Sequence, residues 1–249
     1  MYNPFSLEGK TILVAGAFSG IGRAVAIECS RLGASVHILG HEEGMLLETL
    51  SHMEKGNHVF HVCDISDEDK LDQLMDSLPV FDGFSCCEGI TRTMLVKFLN
   101  RKVLNEILDY NAVAPIMLTQ KLVKKKKFNK KSSIVFTSSL AGVYTVHYGD
   151  SLNAISSGTI NAFAKSAALD LSVQGIRVNC VNPGVVAMES VFSGTILTEE
   201  ELAEKQKYFP LRRFGRPEDI AMAIVYLLSD ASSWITGVSL PIDGGYTLL

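Results

Sequence analysis

Seven residues near the start of the chain have the composition of a phosphate-binding turn. The stretch Gly16-Ala17-Phe18-Ser19-Gly20-Ile21-Gly22 follows a short apolar run and leads directly into a helical pattern. Glycines permit a tight turn that brings backbone N–H groups close to a pyrophosphate, and the positive end of the helix dipole favours an anion. A plain strand-to-helix turn uses the same residues, so the flanking elements decide between the two interpretations. With a strand before it and a helix after it, the turn is predicted to bind phosphate.

The elements that position this turn alternate along the chain between β-branched apolar runs and helical periodicity. The predicted strands are Thr11–Ala15, Val36–Leu39, Val59–Val62, Phe81–Cys86, Ser133–Thr137, Arg177–Val181 and Val238–Ile242. The predicted helices are Ile21–Leu32, Glu43–Met53, a short helix from Asp67, Asn100–Val123, Ser151–Val173 and Glu218–Leu228. Strands separated by helices require right-handed crossovers and a parallel sheet covered on both sides. The sequence therefore predicts an α/β fold, a Rossmann-type doubly wound parallel sheet of about seven strands with helices on both faces.

Length and composition are those of an ordinary globular protein. The 249 residues are 47% hydrophobic and 20% charged, which predicts a single domain over residues 1–249. A net charge of −4 gives no reason to expect nucleic acid as a partner. Five scattered cysteines, the lack of metal-ligand spacing and the lack of a signal peptide or membrane span predict a reduced, cytoplasmic protein without a metal. The irregular segment at about residues 185–216 is expected to cover a ligand crevice.

Taken together, these features resemble the short-chain dehydrogenase/reductase family over nearly the whole chain, most closely its 3-oxoacyl-acyl-carrier-protein reductase-like branch. The resemblance rests on the GxxxGIG pattern, the Asn182-Pro183-Gly184 turn, and the C-terminal stretches Arg216–Ala221 and Thr236–Gly245. It implies an NAD(P)-dependent oxidoreductase that acts on a small carbonyl or alcohol. The cofactor-binding residues that it implies are Gly16, Ser19, Gly20, Ile21, Gly22, His41, Asp64, Gly89, Pro183 and Gly184. Ser139 and Asn111 resemble the family's active-site Ser and its structural and catalytic Asn.

Cofactor preference is weakly marked in the sequence. Members that prefer NAD usually carry an acid at the end of the second strand, where it holds the ribose 2′-OH. Here that strand ends in Leu39-Gly40-His41, and His41 falls where NADP-preferring relatives often have Arg. The choice therefore leans slightly to NADP over NAD.

The two residues most needed for reduction are replaced. Family members use a Tyr hydroxyl as the proton donor and a Lys four residues later, which lowers the pKa of that Tyr and holds the ribose. The ungapped segment Gly158–Asn179 fixes the register, which places Asn153 at the Tyr position and Ser157 at the Lys position. The i, i+4 spacing puts both on one helix face, but neither is a proton donor or a cation at neutral pH.

Two further replacements fall at positions that face the cofactor in the family. Glu88 puts a carboxylate where Ala is usual, and Met188 replaces a common Thr. A carboxylate near the sugar-phosphate would weaken cofactor binding unless it is paired or turned to water. The neighbouring Cys86 and Cys87 are interpreted as buried thiols at a strand end rather than as redox groups.

Three functional hypotheses remain open from the sequence. The first is a catalytically impaired family member that acts by binding, as a pseudoenzyme, sensor or partner subunit. The second is an active carbonyl reductase or alcohol dehydrogenase with rearranged acid–base groups, such as Tyr148 or Tyr144 with water. Lys165 is a poor substitute for the missing cation, since it points about 80° away from Ser157 around the helix axis. The third is that the substitutions were introduced into an otherwise active reductase.

Association is expected from the resemblance alone. Relatives associate through the two long helices and the region of the last strand. The apolar end Tyr246-Thr247-Leu248-Leu249 fits burial against another subunit. A homodimer or homotetramer is the expectation.

Overall fold

A computed structural model describes residues 2–188 and 199–249, and its main feature is one parallel β-sheet. Over these residues the sheet has seven strands in the order β3-β2-β1-β4-β5-β6-β7, and every neighbouring pair is parallel. The strands are β1 (Thr11–Ala15), β2 (Ser35–Gly40), β3 (Val59–Val62), β4 (Phe81–Cys86), β5 (Phe128–Thr137), β6 (Arg177–Pro183) and β7 (Ser239–Ile242). The predicted fold class, a Rossmann-type doubly wound sheet, is confirmed.

The strand order reverses direction between β1 and β4, which creates a crevice at the carboxyl ends of these strands. Ala15 pairs with Cys86 across this boundary. Cys86 pairs in turn with Phe136, and Phe136 pairs with Cys180. The segments that follow these four residues therefore emerge at one edge of the sheet, where a ligand crevice is expected.

Helices cover both faces of the sheet because each presents an apolar stripe to it. One face packs against α1 (Gly20–Arg31), α2 (Glu43–His52) and α8 (Pro217–Leu228). The other face packs against α3 (Glu68–Ser77), α5 (Ala114–Lys124) and α6 (Ser151–Asp170). Among the described residues no helix is long and apolar enough to cross a membrane. Two buried layers thus hold the sheet edge that carries the crevice.

The helix predicted over Asn100–Val123 is interrupted in its middle. Helix α4 (Arg101–Leu108) passes into a π-helical turn, Asp109–Val113, before α5 begins at Ala114. Val103 and Ile107 of α4 pack on Leu152 of α6, whereas α5 packs on the sheet. The π turn adds one residue between two helical segments that face different partners.

Other boundaries differ from the predictions at strand and helix ends. Strand β5 begins at Phe128 rather than Ser133, because Phe128 pairs with Phe81 before the polar residues that follow it. Helix α6 ends at Asp170 rather than Val173, where a short 3₁₀ turn follows. Within the segment predicted to be irregular, Glu199–Gln206 forms helix α7. Part of the irregular segment predicted at 185–216, residues 189–198, lies outside the described residues.

Two partly buried histidines on neighbouring strands are in contact with each other. The His37 ring stacks on the His61 ring with centroids 5.2 Å apart, and Nδ1 of His37 lies 2.9 Å from Nε2 of His61. Burial, together with the nearby His37, lowers the pKa of His61 to about 4. Burial also lowers the pKa of His37, with a smaller contribution from His58.

We expect stability to fall as the pH falls from about 6.5 towards 4, since the unfolded chain then binds a proton that the folded His61 does not. The free energy of unfolding should decrease by about 2 to 3 kcal/mol over this range. Urea unfolding at several pH values measures it. His61→Phe should flatten this dependence, whereas His52→Phe, at the exposed end of α2, should leave it unchanged. An equally steep decrease in His61→Phe would contradict the assignment.

Candidate active site

The glycine loop, residues 16–22, lies against the end of β4. Gly16 has a φ of +78°, and a Cβ on it would lie 2.8 Å from the backbone N of Glu88. A Cβ on Gly22 would lie 2.0 Å from the carbonyl oxygen of Gly16. No side chain fits at either position, so the loop can close tightly only with glycine there.

The start of α1 leaves backbone donors without a side-chain acceptor. Ser19, at the N-cap, has extended backbone angles and makes no side-chain capping bond. The first turn of α1 contains no acid. The N–H groups of this turn and the positive end of the helix dipole therefore remain suited to an anion such as a diphosphate.

A cleft of about 830 Å³ opens beside this loop at the carboxyl ends of β4, β5 and β6. The predicted site residues that line it are Ile21, Gly89, Asn111, Ser139, Asn153, Ser157, Pro183 and Gly184. Six other predicted cofactor-binding residues do not line this cleft: Gly16, Ser19, Gly20, Gly22, His41 and Asp64. The cleft thus joins the predicted catalytic positions to the nicotinamide side of the site rather than to the adenosine side.

Ser139 is held by its backbone at the end of β5. Its carbonyl oxygen accepts a hydrogen bond of 2.7 Å from Nδ2 of Asn182, a side chain that is fully buried. Its hydroxyl accepts from the backbone N–H of Ala141 at 3.2 Å. The hydroxyl hydrogen remains able to point into the cleft, where it could donate to a substrate oxygen.

Asn111 lies in the π turn and connects two parts of the site. Its Oδ1 accepts from the N–H of Ile90 at 2.8 Å, and its Nδ2 donates to the carbonyl of Ile90 at 2.7 Å. Nδ2 also lies 3.3 Å from the hydroxyl of Ser156 on α6. Asn111 therefore fixes the segment after β4 against α6, as its predicted structural role requires.

Asn153 and Ser157 both line the cleft from α6, as the i, i+4 spacing predicts. Oδ1 of Asn153 accepts from the backbone N–H of Arg92 at 3.2 Å. Ser157 is buried, and its carbonyl accepts from Nδ2 of Asn161 at 2.8 Å. An amide and a short hydroxyl can orient a ligand, but neither releases a proton readily.

The tyrosines and the lysine named as substitutes lie away from these groups. Tyr148 is 97% exposed. The hydroxyl of Tyr144 donates to the carbonyl of Ser239. Lys165 is exposed and, like Tyr144 and Tyr148, is absent from the lining of the main cleft. None of these three residues therefore supplies a Tyr–Lys pair beside Ser139; the tyrosines and the lysine that line the cleft are Tyr208, Tyr246 and Lys205.

Sequence reasoning missed one pair of ionisable groups in the cleft. Tyr246 and His147 both line it, and the Tyr246 hydroxyl lies 3.1 Å from Nε2 of His147. The two residues are 99 positions apart in the chain, so no spacing signal connects them. From the sequence, Tyr246 is predicted only as part of an apolar chain end, and no role is predicted for His147.

Glu88 is a buried acid at the wall of the cleft. It is 6% exposed, and its Oε2 accepts from the Tyr110 hydroxyl at 3.2 Å. Burial raises the pKa of Glu88 to about 7, against the opposing effect of the Tyr110 hydrogen bond. Burial and the Glu88 charge raise the pKa of Tyr110 as well. From the sequence, this carboxylate is expected to be paired or turned to water. Its partner is the neutral hydroxyl of Tyr110 rather than a cation.

Side chains pack closely around the glycine loop and the end of β2. The His41 ring packs edge-on against Phe18 with centroids 4.6 Å apart, and Cδ1 of Phe18 lies 2.7 Å from where a Cβ on Gly40 would be. Sδ of Met188 lies 2.7 Å from the Cβ position of Gly20, so this side chain covers the loop. The backbone of the loop is suited to a diphosphate, and the side chain of Met188 lies against it.

Other polar groups of the site are occupied within the protein. The Asp64 carboxylate accepts from the backbone N–H of Ser66 at 2.9 Å and from its hydroxyl at 2.7 Å. Cys86 is buried, as expected, whereas Cys87 is only partly buried and lines the cleft. Desolvation raises the pKa of both groups, which favours the thiol form. No cluster of metal-ligating side chains occurs in residues 2–188 and 199–249.

Comparisons with known proteins give a consistent relationship. The family model described as Enoyl-(Acyl carrier protein) reductase matches residues 16–247. A 3-oxoacyl-[acyl-carrier-protein] reductase from Rickettsia felis is 30% identical over 243 residues, which cover 98% of this chain and 99% of that protein. A tropinone reductase homolog from Arabidopsis thaliana is 32% identical over 253 residues, with 98% and 95% covered.

Solved structures share the fold. A short-chain type dehydrogenase/reductase from Mycobacterium ulcerans is similar with a TM-score of 0.87 and 26% identity, covering 98% of this chain and 91% of that one. A short-chain dehydrogenase/reductase from Serratia marcescens has the same TM-score of 0.87 at 24% identity, covering 98% and 100%. At that identity the second likeness concerns the fold alone.

The packing of the glycine loop predicts the effect of adding one methyl group. Gly22→Ala should destabilise the protein by about 2 kcal/mol or more, because the new Cβ meets the Gly16 carbonyl at 2.0 Å. The matched control is Gly44→Ala in α2, where a Cβ meets nothing within 4 Å. That variant should be unchanged or more stable by up to about 1 kcal/mol. Thermal unfolding of both variants measures the difference, and equal stability of the two would contradict the described packing.

Proposed function

The chain belongs to the short-chain dehydrogenase/reductase family, and from that premise we propose that it is an impaired NAD(P)-binding member that acts by binding or as a partner subunit. The observation that carries this proposal is the pair Asn153 and Ser157, which line the cleft together with Ser139. These are the positions at which the family resemblance puts a phenol and an ammonium group. The retained loop supports binding, and the two replacements support the loss of chemistry.

The impairment follows from where a proton would be needed. A bound nicotinamide would supply a hydride to a carbonyl carbon. The Ser139 hydroxyl can donate a hydrogen bond to the carbonyl oxygen, but it does not release its proton at neutral pH. Asn153 can donate only through its amide, and Ser157 carries no positive charge. Loss of a general acid typically slows a reaction by about 10²- to 10⁴-fold, and groups that act as a unit do not simply add.

Two further features of the site belong to this proposal. We infer a slight preference for NADP over NAD, since His41 rather than an acid follows β2. We infer a homodimer or homotetramer, because apolar side chains of α6 and the chain end are exposed, among them Ile155, Leu169 and Leu249. Fluorescence titration with NADH and NADPH tests the first inference. Light scattering tests the second, which a monomer would refute.

Restoring the missing pair tests the impairment directly. We expect the wild type to reduce a panel of ketones with NADPH or NADH at least about 10²-fold more slowly than an ordinary reductase. Asn153→Tyr combined with Ser157→Lys should raise this rate by about tenfold or more, provided that binding is intact, whereas each single change should do less. Steady-state rates and cofactor titrations on the same samples separate chemistry from binding. Turnover of ordinary size in the wild type, abolished by Ser139→Ala, would overturn the proposal.

A second candidate function is an active carbonyl reductase with rearranged acid–base groups. The observation in its favour is the Tyr246–His147 contact of 3.1 Å inside the cleft, since a Tyr hydroxyl beside an imidazole is an acid–base pair. It differs from the rearrangement expected from the sequence, which relied on Tyr148 or Tyr144. Ordinary turnover that drops about 10²-fold in Tyr246→Phe and in His147→Gln, with Tyr148→Phe unchanged, would support this candidate. Unchanged turnover in both variants would exclude it.

A further inference from the structure

Glu88 lies where the glycine loop meets the end of β4. Its backbone N is 2.8 Å from the position of a Cβ on Gly16, so the acid and the loop are in direct contact through their backbones. Its side chain lines the cleft and is 6% exposed. Ile21 of the loop lines the same cleft, so an anion held by the loop would lie near this carboxyl group.

No cation among the described residues compensates the Glu88 charge. The hydroxyl of Tyr110 in the π turn donates to Oε2, and the backbone of Gly16 also stabilises the carboxylate. Asp64, beyond the end of β3, acts in the opposite direction as a second acid. On β4 and just after it, the neighbouring titratable groups are the thiols of Cys86 and Cys87. The groups that act on Glu88 are therefore polar or acidic, and Lys205, which lines the same cleft, is not among them.

We propose that Glu88 makes the binding of an anionic dinucleotide depend on the uptake of one proton, so that the loop binds a diphosphate strongly only when this carboxyl group is neutral. The proposal rests on the proposed function, because it assumes that a dinucleotide occupies the loop. Two like charges in a space shielded from water repel strongly, and the cheaper outcome is protonation of the carboxylate. The carboxyl group gains the proton from solvent on binding and returns it on release.

The pH range follows from the burial of this group. The pKa of Glu88 in the free protein is about 7, and an adjacent diphosphate raises it further. Above pH 7 each binding event must then take up a proton, so affinity falls about tenfold for each pH unit. Below about pH 6 the carboxyl group is already neutral, and affinity no longer changes with pH.

NADH is the probe for the test, because the charge of its diphosphate stays constant across the range. Titrations from pH 6 to pH 9 on the wild type should give a dissociation constant that is flat below about 6 and rises about tenfold per unit above about 7. Glu88→Gln keeps the shape of the side chain without the charge, and its dissociation constant should be flat throughout. Asp69→Asn, which removes an exposed acid on α3, should behave as the wild type does.

Two further measurements distinguish proton uptake by Glu88 from a purely structural role of this residue. Calorimetry in buffers of different ionisation enthalpy should show uptake of about one proton per NADH at pH 8 in the wild type and none in Glu88→Gln. Tyr110→Phe removes the hydroxyl that stabilises the carboxylate, so the pH at which affinity begins to fall should move upwards. Thermal unfolding checks that each variant is folded.

The outcomes separate this proposal from the proposed function. NADH binding that is independent of pH in the wild type overturns the role of Glu88 and leaves the impaired reductase in place. A break in the pH profile that Glu88→Gln retains, or that Tyr110→Phe leaves unmoved, also overturns it. Failure of every folded variant to bind either NADH or NADPH at any pH overturns the cofactor binding on which both proposals rest.

Discussion

The backbone contact between the glycine loop and the end of β4 is the constraint on which the site depends. Because β1 and β4 are neighbours at the point where the strand order reverses, their following segments meet at one edge of the sheet. The loop can approach β4 only because Gly16 and Gly22 have no side chain. That same closeness leaves whatever follows β4 within reach of a ligand in the loop. The residue at position 88 consequently influences the anion site, although it belongs to another element.

Side-chain amides hold the walls of the cleft together. Asn111 joins the segment after β4 to α6, and Asn182 holds the backbone of Ser139. Asn161 bonds the carbonyl of Ser157 and the hydroxyl of Ser138, which fixes α6 against β5. These amides use their hydrogen bonds to maintain the walls of the cleft.

Sequence patterns predicted the strands well because a buried parallel strand requires a continuous apolar run, as in Thr11–Ala15 and Phe81–Cys86. They also placed Asn153 and Ser157 on one wall, since helical periodicity is local. They could not predict the contacts Glu88–Tyr110 or Tyr246–His147, which join residues 22 and 99 positions apart. Nor did they predict the start of β5, because the lysines and asparagine after Phe128 resemble a loop and only the pairing with β4 makes them a strand.

The π turn at Asp109–Val113 joins two helical segments, α4 and α5, whose side chains point in different directions around the helix axis. A π turn contains more residues than a turn of α-helix, so the side-chain directions of α4 are offset from those of α5. Each segment can then present its apolar stripe to its own partner, α6 for one and the sheet for the other. Asn111 stands at the offset itself. Chain length in this stretch is consequently constrained more tightly than side-chain identity, since losing one position would rotate one stripe away from its partner.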